Sequence, residues 1–454
     1  MKTKQLQRNS RQHGGILVAT LLTVIVIGIM VAGVLNLAVH EHRMEARATS
    51  WNAALPAAEA GVEEAMSQLQ ANGPGSAAGG LFGNLATAGW TSSGGVYSMQ
   101  RTLNSNSYYQ TSISSATPPV ITSTGFFRAP LSQNYISRTV SITTTNNGLF
   151  VKGLIVKDGV TSNGNSVSAD AFDSGDPLYS TNGMYIASKA TDGGGIATLS
   201  SVANALNFGA GTIYGAVATG PGGSIPAALY VGDKAWLAAN PTQHIQPGHF
   251  TTDMNVSFPD VIAPYTSGLG LTQVKINAAG QTYPITSAVP GLTLVWYLTS
   301  GDYYINSGTL SGKVVVAGNA RIYVTSSATV NFAPATDSIS ISNNASLQFY
   351  VGSATAALPN VSNPTGKAAK LQYFGLPTNT NITCTVNTDF IGVMYAPNAK
   401  ITMGGNGTGS EQKIIGAVIG KSMFYNDTFS FHYDKALART GLARGYLIAS
   451  WSEL

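Results

Sequence analysis

The chain has 454 residues, enough for two or three domains, and only 10% of them are charged. A hydrophobic content of 44% with 51 glycines excludes an intrinsically disordered chain and favours stacked or sandwiched β-structure. The formal net charge of +4 comes from the basic residues before position 14, so the balanced remainder carries no electrostatic footprint for nucleic acid. Cys384 is the only cysteine, which excludes an intramolecular disulfide.

The first predicted element is an uncharged apolar run, residues 14–39. As a helix rising about 1.5 Å per residue, residues 16–39 would span roughly 36 Å, more than the ~30 Å hydrocarbon core of a membrane. The basic residues before the run predict that the N-terminus stays in the cytoplasm and that the rest of the chain is exported. A cleavable secretory signal has a shorter apolar region, so this run is predicted to remain attached.

A processing motif lies at the front of the apolar run, where residues 11–22 read RQHGGILVATLL. The motif resembles the leader of type IV prepilins, most closely that of PilX-type minor pilins and of the tip pseudopilin of type II secretion. The resemblance implies that a prepilin peptidase cuts after Gly14 or, in the alternative register, after Gly15. It also implies that the apolar helix then becomes part of the packing core of a filament.

The chain departs from this family at mature position five, where major pilins carry Glu and this sequence has Ala19. In the family, that carboxylate meets the N-terminal ammonium of a neighbouring subunit. A subunit at the end of a filament has no such neighbour, and an unpartnered carboxylate in lipid is costly. The loss of the acid therefore predicts a tip or initiating subunit. The alternative is that Ala19 is a lipid-facing residue of a permanent membrane anchor.

Apolar residues continue at helical spacing beyond the membrane segment and predict an amphipathic helix. The predicted packing stripe consists of Met44, Ala48, Trp51, Leu55, Ala58, Val62, Ala65 and Leu69. Pro56 predicts a kink, and the NGPG sequence of residues 72–75 predicts the end of the helix. Residues 52–65, NAALPAAEAGVEEA, resemble the AAEAG signature that PilX-type proteins carry after the membrane helix.

Residues 90–147 change to the periodicity of strands. Alternation of apolar with polar residues predicts four strands: 96–103, 108–113, 120–127 and 135–144. At hairpin spacing these strands predict an antiparallel sheet with one apolar face, which the helix stripe would cover. A long N-terminal helix on such a sheet is the arrangement that the pilin resemblance also implies.

From residue 148 to 434 short apolar pairs recur without a predicted helix. Val314 and Ile339 are 25 residues apart, as are Ile322 and Leu347, and that offset suits one turn of a three-sided β-solenoid. A parallel solenoid is therefore preferred to a Greek-key sandwich. Residues 161–177, 212–220 and 390–400 are similar to the β-helical exported domain often fused to PilX-type N-termini. The apolar tail within 435–454 is predicted to return as a strand to the pilin-type sheet.

Candidate chemical sites are sparse. Asp170, Asp173 and Asp176 form an acidic, turn-rich patch, for which turn capping and a structural calcium ion are the alternatives. His432 and Asp434 are interpreted as a structural pair rather than an acid–base pair. The sequence GAVIGKS at 416–422 is one residue short of a phosphate-binding loop, and strand-like sequence follows it. The patterns predict no catalytic residue and no cofactor.

Together these patterns predict an α+β, mostly β protein. The predicted domains are a basic leader (1–14), a transmembrane and amphipathic helix (15–72), an antiparallel sheet (75–147), a β-solenoid head (148–434) and a C-terminal strand (435–454). The predicted function is that of a non-enzymatic minor pilin, which primes or caps a type IV pilus or related filament and displays the head for surface contact or adhesion. Its expected partners are other pilins, the prepilin peptidase, the inner membrane before assembly and a surface glycan or protein ligand. The alternatives are a permanently membrane-anchored β-solenoid and a surface glycan-active β-helix enzyme.

Overall fold

The computed structural model describes residues 13–71, 85, 88–116, 118–130, 134–163, 167–385, 388–404, 411–439 and 443–454. The chain separates into two compact units. The first unit comprises Met1–Gln68, Leu85–Thr145 and Ile448–Leu454. The second unit comprises Leu69–Asn84 and Asn146–Leu447, so its two segments alternate in sequence with the three segments of the first.

Helix α1, His13–Ala71, is a single helix of 59 residues. Its first half is rich in Leu, Ile, Val and Ala, and its second half is rich in Ala and Glu, so strong helix formers occur along its whole length. Pro56 lies inside the helix, which continues through it although proline removes one backbone donor. The predicted stop at residues 72–75 lies outside the described residues.

A six-stranded sheet forms the β part of the first unit, with the order β1-β2-β3-β4-β5-β30. Its strands are β1 (Thr91–Ser93), β2 (Val96–Asn104), β3 (Ser107–Ser114), β4 (Val120–Arg128), β5 (Tyr135–Gly148) and β30 (Ala443–Glu453). The pairs from β1 to β5 are antiparallel, as the alternating sequence predicts. The last strand lies beside β5, where the backbone N–H of Leu454 donates to the carbonyl of Thr139.

The second unit consists almost entirely of β-strands. Its helices are α2 (Lys234–Ala239) and the 3-10 helices Ala187–Lys189, Ala368–Lys370 and Lys435–Ala438. Its strands up to the middle of the unit are β6 (Leu154–Ser162), β7 (Ser168–Phe172), β8 (Ile196–Thr198), β9 (Thr212–Tyr214), β10 (Val217–Ala218), β11 (Tyr230–Gly232), β12 (Phe250–Thr251), β13 (Gln273–Ile276), β14 (Thr282–Tyr283), β15 (Thr293–Leu298), β16 (Gly301–Ile305) and β17 (Thr309–Leu310). The remaining strands are β18 (Lys313–Val316), β19 (Asn319–Val324), β20 (Thr329–Asn331), β21 (Ser338–Ile341), β22 (Ser346–Val351), β23 (Thr355–Leu358), β24 (Asn360–Ser362), β25 (Leu371–Gly375), β26 (Asn381–Thr385), β27 (Phe390–Gly404), β28 (Gln412–Asn426) and β29 (Phe429–Asp434).

These strands form an 18-stranded sheet and a six-stranded sheet whose order is β14-β13-β15-β18-β21-β24. Pairing is parallel in the larger sheet, and the described pairs of the smaller sheet are antiparallel only around β13. Val314 pairs with Ile339, the partner that the 25-residue offset predicts. Ile322 pairs with Phe349 rather than Leu347, because β22 begins two residues later in this register.

Parallel register stacks like residues on like residues. One buried column runs through Ile322, Phe349, Tyr373, Met394, Val418, Leu154 and Ile196 on consecutive strands. The core is therefore a stack of apolar layers, each contributed by a different strand. Cys384 is a free thiol within this core, and burial raises its pKa to about 12.

The order of strands along this stack differs from their order along the chain. β28, near the end of the unit, pairs with β6, its first strand. The stack therefore extends from β6 in one direction through β8 and β10 to β12, and in the other through β28, β27 and β25 towards β16. The chain between β12 and β16 must connect the two ends, which explains the long strandless segment 252–268 that we call the strap. The sequence pattern predicts successive winding and misses this arrangement.

Candidate assembly interface

The first part of α1 exposes an apolar surface. Large apolar residues from Ile16 to Val39 are about half exposed or more, and no charged residue interrupts them. In the described part of the chain, α1 is the one helix long and apolar enough to cross a membrane, judged by length and composition. Such a surface in water would be unfavourable, so we expect lipid or other apolar helices to cover it.

Hydroxyl groups in this apolar part are satisfied within the helix itself. Thr20 donates its hydroxyl to the carbonyl of Leu17 at 3.0 Å, and Thr23 donates to the carbonyl of Ala19 at 2.7 Å. Neither hydroxyl needs a water molecule or a partner outside the helix. The segment is therefore suited to an environment without water.

The predicted cleavage site lies at the start of the described helix. Gly14 and Gly15 fall in the first turn of α1, and the basic leader before His13 lies outside the described residues. Ala19 is exposed and carries no charge. The apolar surface around it is thus uninterrupted.

The second part of α1 packs small residues against the sheet of the first unit. Its buried positions are Ser50, Ala54, Ala57, Ala58, Gly61, Val62, Ala65 and Leu69. A Cβ atom on Gly125 of β4 would come within 3.0 Å of the helix backbone at Ala54, Ala57 and Ala58. The helix and sheet therefore touch backbone to backbone at this point, which only glycine and alanine allow.

The predicted stripe fits the buried face only in its C-terminal part. Val62 and Leu69 are buried and Leu55 is half-buried, whereas Met44 is 69% exposed and Trp51 is 50% exposed. Before residue 58 the predicted stripe takes the large side chains Met44, Trp51 and Leu55, whereas the contact buries the small residues Ser50, Ala54 and Ala57. Trp51 instead lies at the edge of the contact, with the Arg138 guanidinium carbon 5.3 Å from its ring centroid.

Two ionic contacts flank the helix. Glu64 of α1 accepts hydrogen bonds from the Arg101 guanidinium and from the Tyr109 hydroxyl of β3. Burial, reinforced by Glu64, raises the pKa of Tyr109 well above its ordinary value, so the phenol remains a donor. Arg138 of β5, which lies over the Trp51 ring, donates to both oxygens of Glu453 on β30, and this lowers the pKa of Glu453.

The acidic patch of the second unit is built from carboxylates that already have donors. Asp173 accepts from the Arg439 guanidinium and from the Gly175 N–H. Asp176 accepts from the Leu178 N–H as a turn cap. Among the described residues no group of three His, Cys, Asp or Glu side chains is arranged to hold a metal ion.

Asp170 and His432 meet across neighbouring strands, a pairing that the sequence analysis missed. His432 Nδ1 lies 2.6 Å from Asp170 Oδ1, and Ser430 Oγ lies 3.0 Å from His432 Nε2. Ser430, His432 and Asp170 thus have the spacing of a catalytic Ser–His–Asp triad. However, Ser430 is only 1% exposed, and the Tyr185 ring stacks on the His432 ring with centroids 3.7 Å apart. A substrate has no path to such a hydroxyl, so the geometry is that of a satisfied buried network.

The predicted pair between His432 and Asp434 is wrong, because Asp434 has other partners. Its buried carboxylate accepts from the N–H groups of Ser174 and Ala436 and caps the 3-10 helix that follows. Burial raises its pKa.

The near phosphate-loop sequence at 416–422 lies inside strand β28, which is followed by strand β29 and not by a helix.

Comparisons with known proteins give partial matches. Residues 275–440, less than half of the chain, match the model of a domain of unknown function (DUF7305). No curated protein matches the sequence. Among solved structures, the competence-associated pilin ComZ from Thermus thermophilus is similar over 89% of this chain and 98% of its own, with 10% sequence identity and a TM-score of 0.26. None of these matches identifies the chain.

Proposed function

We propose that the chain is a PilX-like minor pilin of a type IV pilus or related filament. The observation that carries the proposal is the division of α1 into two surfaces. An exposed apolar part without charge precedes a part that buries alanine and glycine against an antiparallel sheet. The first surface would lie in the inner membrane before assembly and among the helices of other pilins afterwards.

The AAEAG sequence at 57–61 supports this proposal with a physical role. Ala57, Ala58 and Gly61 are buried on the face that meets Gly125, Ser123 and Tyr109 of the sheet. Glu59 lies between them on the partly exposed side. A motif of small residues at these positions is what close packing of a helix on a sheet requires.

A position at the filament tip is supported by Ala19. A pilin within the filament would bring a carboxylate at this position to the N-terminus of its neighbour, and this chain brings none. We infer that the leader 1–14 is cut by a prepilin peptidase after Gly14 and that the mature chain primes assembly or caps the tip.

The second unit would be the displayed head. Parallel pairing of residues 19 to 27 positions apart, with buried aliphatic columns, supports a β-solenoid as its architecture. The proposed domains are the helix at 15–72, the pilin-type sheet at 75–147 with the returning strand within 435–454, and the solenoid at 148–434. Display of this head would serve surface contact or adhesion.

Filament fractionation tests the proposal. When filaments are sheared from cells and collected, we expect the chain in the filament fraction together with the other pilins. A variant with Ile27→Lys and Val31→Lys, which places two charges in the apolar surface of α1, should be lost from that fraction. Retention of the unaltered chain in the inner membrane, with none in the filaments, would contradict the proposal and favour the permanent anchor.

A further inference from the structure

An outward-facing column of aromatic rings crosses the parallel sheet of the second unit. Tyr304, Tyr323, Tyr350 and Phe374 are in register on the neighbouring strands β16, β19, β22 and β25. Their sequence neighbours at the inward positions are buried in the core. The three tyrosines are partly exposed, whereas Phe374 is only 1% exposed and ends the accessible part of the column. The ring centroids of Tyr304 and Tyr323 lie 5.7 Å apart.

A column of planar polar side chains runs parallel to the rings, two residues earlier on each strand. It consists of Asp302, Arg321, Gln348 and Gln372, which are also in register. Arg321 Nε donates to Asp302 Oδ1 at 2.7 Å, and Gln348 donates to Gln372 at 3.3 Å. Because the one positive and one negative charge are paired, this surface is electrically balanced.

The strap forms a wall along the aromatic column. Tyr265 of the strap donates its hydroxyl to the carbonyls of Tyr303 and Arg321, and its ring centroid lies 6.0 Å from that of Tyr323. The Arg321 guanidinium carbon lies 5.3 Å from the Tyr265 ring centroid. Further along, Val256 and Val261 of the strap pack on the cluster that contains Phe374, with Tyr350 packed against the same cluster. The strap therefore covers part of this face, and Tyr304, Arg321 and Gln348 remain partly exposed beside it.

We propose that this face binds a linear, uncharged polysaccharide. Aromatic rings can stack on the apolar C–H face of a sugar ring, while amide and guanidinium groups can hydrogen-bond its hydroxyls. Neighbouring strands lie about 4.8 Å apart, so the surface presents an aromatic ring and a polar side chain on each of the strands β16, β19 and β22 and suits a ligand that itself repeats. The balanced charge favours an uncharged chain over an acidic one. The inference deepens the proposed surface-contact role of the head and rests on it.

Affinity electrophoresis of the full-length chain in detergent tests the inference. The probes are hydroxyethylcellulose, glucomannan and dextran, with polygalacturonate as the acidic comparison. We expect at least one of the uncharged polymers to retard the chain and polygalacturonate not to. Tyr323→Ala and Tyr304→Ala should each weaken the apparent affinity about fivefold, the loss of one stacked ring, whereas Tyr323→Phe should keep it.

Tyr179→Ala is the matched control, because Tyr179 is 41% exposed and lies in the same unit but on none of the strands that carry the aromatic column. It should bind like the unaltered chain. Absence of retardation by every uncharged polymer, retardation by polygalacturonate alone, or equal retardation of the Tyr323→Ala and unaltered chains would each overturn the inference. The intact mass of the same preparation reports processing. A processed chain that binds no polymer refutes this inference alone, and an unprocessed chain that binds contradicts only the filament role.

Discussion

Gly125→Ala should weaken the contact between α1 and its sheet by about 2 kcal/mol. The added methyl would meet backbone atoms of Ala54, Ala57 and Ala58, which cannot rotate away as a side chain can. Relief therefore requires the whole helix to move from β4, and the small residues of the AAEAG motif lose their close packing. We expect Gly125→Val to cost more than Gly125→Ala, because a second and third carbon must enter the same space.

Hydrogen exchange measured by mass spectrometry is the appropriate readout, because a chain with two compact units need not unfold in one step. Amides in residues 54–65 should exchange about 30-fold faster in the Gly125→Ala chain. Gly270→Ala is the control, since no atom lies within 4 Å of the added methyl. Unchanged exchange in the Gly125→Ala chain would show that the helix does not touch the sheet as described.

Asp170→Ala should destabilise the strand pair β7–β29 by about 3 kcal/mol. The carboxylate accepts from His432 and Tyr185, and Lys234 Nζ lies 3.6 Å from it. Removing it leaves donors without an acceptor in a largely buried place, and that desolvation cost exceeds the worth of any single hydrogen bond. The effect should therefore be several times that of removing an exposed carboxylate.

Asp158→Ala provides that comparison. Asp158 is 60% exposed in its side chain and lies 4.0 Å from Lys421, so its removal should cost less than about 1 kcal/mol. Hydrogen exchange of the amides in β6, β7 and β29, measured on both variants, gives the difference. His432→Ala added to Asp170→Ala should cost much less than His432→Ala alone, because the two side chains act as a unit. Equal destabilisation by Asp170→Ala and Asp158→Ala would rule out a coupled buried network.

Local patterns predicted much of the first unit. An uncharged run, a helical apolar period and strand alternation are properties of contiguous residues, and the helix and antiparallel strands follow from them. The exact contact face does not follow, because hydrophobicity ranks Met44 and Trp51 above Ala54 and Ala57. At Gly125 the helix and the sheet touch backbone to backbone, so the contact buries the small Ala54 and Ala57 instead. A glycine on a distant strand gives no signal in the helix sequence.

Long-range pairing accounts for most of what the sequence did not reveal in the second unit. Asp170 and His432 are in register only because β7 lies beside β29, which depends on where the chain re-enters the stack.

A signal for the aromatic column does exist in the sequence. The tetrapeptides DYYI, RIYV, QFYV and QYFG, at 302–305, 321–324, 348–351 and 372–375, each place a polar side chain two residues before an aromatic one. These tetrapeptides are separated by unequal numbers of residues, so a search for repeats at one fixed period does not detect them.

The central claim is that α1 belongs to a processed pilin, and the most direct test is the intact mass and N-terminal residue of the chain isolated from cells. We expect a chain that starts at Gly15, about 1.7 kDa lighter than the full sequence and N-methylated. That result would establish cleavage after Gly14 and release of an apolar helix fit for a filament. A chain that still starts at Met1 would contradict the filament role and leave a permanently anchored protein.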